Sequence, residues 1–162
     1  MGVESLNDAK ISELLVCQKR VTNPTSREKT KGKHIETNYN LVDVATGELS
    51  FCLYLRQNTI IADDFSCGLR WNMPSGEVVT LARYNGSSHM HKNHLENEEL
   101  DFEHHVHKAT QKYILAGKKP EGYAEKSSKY STLKGALHCL ITDCSITGIA
   151  SEADHPDLFL SK

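Results

Sequence analysis

From His34 to Tyr84 apolar and polar residues alternate with a period of two, and no other feature constrains the fold as tightly. Successive side chains of an extended strand point to opposite faces. Phe51, Leu53 and Leu55 therefore line one face, while Cys52, Tyr54 and Arg56 take the other. Turn-forming stretches cut the region into strand-length pieces: "ATGE" follows "HIETNYNLVDV", and Pro74-Ser75-Gly76 precedes "EVVTLARYN". In that last piece Val79, Leu81 and Arg83 are expected to share a face. "NTIIADDFSCGLRWNM" supplies one or two more short strands, so the region reads as an antiparallel meander.

Helical spacing brackets the meander. "SLNDAKISELLVCQKR" places Leu6, Ile11, Leu14 and Leu15 on a rough stripe, with Ser5, Asn7 or Asp8 as caps. Lys19 and Arg20 fall where cations complement the end of that helix. "YSTLKGALHCLITDCSI" carries Leu133, Ala136, Leu137, Leu140, Ile141 and Cys144 on one side, with Ser131 as cap. "VTNPTSREKTKGK" and "LAGKKPEGYAEKSSK" read as loops, and "FEHHVHKATQKYI" as a late strand. The expected fold is α+β: an antiparallel sheet of four to six strands with an N-terminal and a C-terminal helix over one face. The 162 residues fit a single domain, 1–162, in which 146–162 form an irregular tail whose "DLFL" is available for contacts.

Composition excludes several classes. An apolar fraction of 38% with 25% charged residues is that of a globular chain, not a disordered one. A formal net charge of −2 shows no overall affinity for nucleic acid, although Arg27, Lys29, Lys31 and Lys33 concentrate positive charge in one loop that could grip a phosphate backbone. No apolar run approaches the roughly 18 residues of a membrane span, and the N-terminus lacks a signal segment. Five cysteines without a C-x-x-C pair read as buried, reduced thiols, so the expected location is the cytoplasm, with no membrane partner.

Chemistry concentrates between His89 and His107, where six of the nine histidines lie: His89, His91, His94, His104, His105 and His107. On a strand His105 and His107 project from the same face, while His104 falls on the Phe102 and Val106 face as a core residue. Two functions use this pattern. A metal site needs three or four imidazole or carboxylate ligands, for which His89, His91, His105 and His107 are the candidates and zinc the candidate ion. The H-x-H pair would also open a cupin signature, but "KPEGYAEK" lacks the histidine of its second half. Alternatively, His105 and His107 act as acid and base beside Arg83 with no metal, cleaving RNA or another phosphodiester, with Tyr84, His89, His91 and Asn93 as helpers. The leading expectation is the second, a toxin-like endoribonuclease. The alternative is a metal-binding or protein-interaction module, such as a phage inhibitor of host defence, with a partner protein in place of RNA.

The string "LARYNG", the H-x-H in "FEHHVHKATQKYI" and the helix "YSTLKGALHCLITDC" together resemble a family of small bacterial and phage proteins of uncharacterised function. The resemblance spans about Val78 to Ile146. It implies that Arg83, Asn85, Gly86, His89, Asn93, His105 and His107 are the motif positions, Asn85 among the binding residues. It implies no particular reaction. Ser87 and Ser88 stand where the family has a Pro-His turn.

Overall fold

A computed structural model describes residues 2–149. A 3-10 turn (Val3–Ser5) leads into α1 (Asp8–Val16), β1 (Lys19–Val21), β2 (Lys29–Lys31), β3 (His34–Asp43), β4 (Ser50–Asn58), β5 (Phe65–Asn72) and β6 (Val78–Asn85). Then come β7 (His91–Asn93), β8 (Glu98–Leu100), β9 (His105–Lys108), α2 (Gln111–Leu115), β10 (Tyr123–Lys126), α3 (Leu133–Asp143) and β11 (Ile146–Thr147). Nine strands form one sheet in the order β10-β9-β6-β5-β4-β3-β1-β11, with β2 also paired to β3. The sheet is mixed, because β1 and β11 run parallel. β7 and β8 make a separate two-stranded sheet.

The protein is thus mostly β, which corrects the α+β expectation of four to six strands flanked by helices. The reason is strand length. β1, β2, β10 and β11 have three, three, four and two residues, too few to show alternation. β2 and β10 also lie in Lys- and Gly-containing stretches that read as loops. The supposed tail begins with β11, and "DLFL" lies outside the described residues.

Helix ends differ too. α1 stops at Val16, capped by Asn7, whose side chain accepts from the Lys10 amide at 2.8 Å. Lys19 and Arg20 sit in β1, yet Lys19 still serves the helix end. Its fully buried Nζ donates to the carbonyls of Leu15, Cys17 and Cys144 at 2.8, 2.8 and 2.9 Å. These bonds satisfy groups that helix termini leave open. α3 is capped by Thr132, not Ser131, with its hydroxyl accepting from the Gly135 amide.

One face of the sheet carries the core. Phe51, Leu53 and Leu55 of β4 and Cys67, Leu69 and Trp71 of β5 pack beneath Ile11 and Leu14 of α1 and Ala136, Leu137 and Leu140 of α3. Full burial of such a side chain contributes about 1.5–3 kcal/mol. A bulge fixes what the other face receives. Leu69 pairs with Ala82 but Arg70 pairs with Thr80, so Leu81 is an extra residue in β6. The extra residue reverses the in/out parity of everything after it. Val79 and Leu81 face the core as expected, but so do Ala82 and Tyr84, and Arg83 turns to the opposite face.

Candidate metal centre

Arg83 and Asn85 on β6 lie directly opposite His107 and His105 on β9, all on the face away from the helices. The bulge makes this row possible. Where the β6–β9 ladder ends, the Tyr130 hydroxyl sits 2.8 Å from the Asn85 carbonyl and 3.0 Å from that of His105, tying the two strands together. Gly86 follows, and a Cβ there would come within 2.1 Å of the Asp63 carbonyl, so the motif glycine is demanded by close approach.

The β7–β8 hairpin adds the third histidine. Its turn uses Asn97 at φ 54°, a left-handed position that asparagine tolerates. Asn93 then grips β10 twice: its Oδ1 accepts from the Ala124 amide and its Nδ2 donates to the Ala124 carbonyl, both at 2.8 Å. Glu96 fastens the turn to α2, accepting from the Tyr113 hydroxyl and from Lys112, each at 2.7 Å. So held, the His91 ring stacks 5.5 Å from His105 and meets His107 edge-on at 4.6 Å. One potential ligand atom from each of His91, His105 and His107 lies within 4.8 Å of the others.

Hydrogen bonding fixes which ring nitrogen carries an electron pair. His105 Nδ1 is 2.8 Å from the Glu103 carbonyl, and His107 Nδ1 is 2.8 Å from the Glu121 carbonyl. A carbonyl only accepts, so both Nδ1 atoms donate, and each neutral ring keeps its electron pair on Nε2. His91 Nε2 is 2.9 Å from Asn93 Oδ1 and 3.1 Å from the Gly122 carbonyl, which makes it a donor and leaves the pair on Nδ1. Ligating histidines are usually oriented this way by carbonyl and amide partners. His107 Nε2 is buried with no hydrogen-bond partner among the described residues.

Burial favours the neutral form of His105 and His107. Burial, opposed by the Glu103 carbonyl and reinforced by His89, His91 and Arg83, pushes His105 down to about 4. Burial and then the Arg83 charge push His107 down to about 2. His89 is also lowered, chiefly by desolvation. A neutral imidazole with a free lone pair can serve as a ligand; it is a poor proton donor at neutral pH.

The other residues singled out in the sequence fall as follows. His89 is exposed, its ring 5.1 Å from that of His105. Tyr84 points the other way and donates to Asp143 of α3, beside a cavity of about 460 Å³ on the helix side. Arg27, Lys29, Lys31 and Lys33 are exposed on or beside β2, whose partner β3 is three strands from β6, roughly 15 Å at ordinary strand spacing. The fold does not bring them to the histidines. His104 packs against Phe65 and Tyr130, with ring centroids 6.0 and 5.5 Å away.

Three contributors were not foreseen: the Glu121 and Gly122 carbonyls, and Tyr54. "KKPEGY" held the signal for the first two, a turn just before a strand. For Tyr54 the signal was Gly68 within a strand, where a Cβ would meet the tyrosine ring at 2.6 Å. Among the described residues no helix is long and apolar enough to cross a membrane. Set against protein families, curated proteins and solved structures, the chain finds no match.

Proposed function

We propose that the protein binds one divalent transition metal ion, of which zinc is the type, through His91, His105 and His107. The observation that carries this is His107 Nε2, an electron pair sealed from water without a hydrogen-bond donor, facing two further imidazoles. Leaving such a group unsatisfied costs about 1–3 kcal/mol, and a metal ion turns that cost into a bond. An all-imidazole set suits zinc, copper, nickel or iron and not magnesium or calcium. Three protein ligands rather than four leave a position for a non-protein ligand, the arrangement of catalytic zinc sites. When bound there, the ion supplies Lewis acidity and activates water. The five free cysteines fit a reducing compartment, and we assign the protein to the cytoplasm.

Elemental analysis of protein loaded with zinc and then desalted tests the reading. One zinc per chain is expected, lost on His105→Ala or His107→Ala; no retained metal in the wild type would refute it. The metal-independent cleavage of RNA keeps one observation in its favour, the placement of Arg83 across from His107. Labelled RNA incubated in EDTA separates the two: cleavage that disappears in His105→Ala and His107→Ala would favour acid–base chemistry, and intact RNA rejects it.

A further inference from the structure

We infer that the exchangeable ligand of this centre is an oxyanion, a carboxylate or phosphate group, held at a second point by the Arg83 guanidinium. The inference rests on the metal reading above and adds the class of molecule the site takes.

Placement is the first ground. Arg83 is the direct cross-strand neighbour of His107, on the same face of the sheet. Its side chain is only half-buried, so solvent reaches it, and exposed His89 lies on the same open side. Unused donors are the second. Arg83 Nη1 stands 3.9 Å from Glu121 Oε2, beyond hydrogen-bonding distance, so the ion pair does not close around the guanidinium. Its Nε is buried without a hydrogen-bond partner among the described residues. Asn85, the next residue on the same face of β6, puts its Nδ2 3.4 Å from His105 Nε2. Open donors on a half-buried guanidinium suit a ligand that supplies the missing acceptors.

Charge is the third ground. Neutral imidazoles bring no negative charge, so a divalent ion held by three of them keeps its full charge next to Arg83. Glu121 offsets a single unit, and the centre stays positive in a partly desolvated setting, where uncompensated charge is costly. An anion bridging ion and guanidinium removes that cost. Arginine suits the task because its planar fork presents two parallel donors to a carboxylate or phosphate. The floor is prepared as well. Gly68 separates Tyr54 from Arg83 in the cross-strand row, and its missing side chain leaves room for the Tyr54 ring over the strand. Arg70 stacks on that ring at 4.2 Å.

Cobalt-loaded full-length protein, titrated with inorganic phosphate and separately with acetate, tests this through the visible absorption of the metal. A saturable spectral change with at least one anion is expected, and the tighter one identifies the source of the oxyanion. Arg83→Gln should weaken it about tenfold or more at unchanged metal content, the usual worth of a charged hydrogen bond. Arg83→Lys, which keeps the charge without the fork, should weaken it several-fold and serves if the glutamine variant does not fold. Absence of any anion response, or equal affinity in wild type and variants, overturns the inference while the metal site stands. Failure of the wild type to retain cobalt overturns the metal reading itself.

Discussion

At the scale of single residues, the orientation of the candidate ligands depends on groups that never touch the proposed metal position. His105 and His107 are oriented by main-chain carbonyls, which substitution cannot remove. His91 depends on a side chain as well: its Nε2 donates to the Gly122 carbonyl and to Asn93 Oδ1, and Asn93 in turn locks onto Ala124. Asn93→Ala is therefore expected to lower zinc affinity roughly 10- to 100-fold, the usual cost of losing such a support. Competition against a chromophoric chelator measures it, and unchanged affinity would mean that His91 is held by other means. Part of the residue-level arrangement was legible in the sequence. The H-x-H spacing put His105 and His107 side by side, and the density of histidines pointed to His91. The turn in "KKPEGY" was readable, but the role of the Glu121 and Gly122 carbonyls was not, because a backbone acceptor leaves no trace in residue identity.

At the scale of elements, turns and short strands decide what the alternation pattern could not. The turn after β3 is organised by Asp43, which accepts from the Thr46 amide and hydroxyl at 2.9 and 2.7 Å and from the Leu49 amide at 2.8 Å. Led by the Thr46 hydroxyl, these bonds hold its carboxyl down at about 2. An unfolded aspartate titrates near 3.9, so the stabilisation is complete above that pH and is lost as pH falls through about 2. Wild type should exceed Asp43→Asn in denaturant midpoint at pH 6, with the gap shrinking toward pH 2. A gap independent of pH would show that the charge of Asp43 is irrelevant. The long strands β3 to β6 were legible because each repeats its period several times. Of those of two to four residues in the sheet only β9 was, and the others changed the architecture from a small α+β sheet to a nine-stranded one. The face of Arg83 was misread for a physical reason: one extra residue at Leu81 inverts the alternation, and nothing in "VVTLARYN" marks it.

At the scale of the whole molecule, the sheet separates two environments. α1 and α3 seal one face into a hydrocarbon core, while on the other a hairpin tied to β10 and α2 brings a third imidazole over two buried ones. His105 and His107 are 1% and 2% exposed, so the pair is enclosed and not displayed on an open sheet face. Because the ligands come from β7 and β9, which are joined through β10, metal binding should fasten the hairpin to the sheet. Zinc is then expected to raise the thermal midpoint and EDTA to reverse the gain, since any ligand specific to the folded state stabilises it. The most direct measurement is X-ray absorption at the zinc edge of the loaded wild-type protein. Three imidazole nitrogens about 2.0–2.1 Å from a single zinc are expected. A shell without histidine scattering, or zinc lost on desalting, would contradict a centre built from His91, His105 and His107.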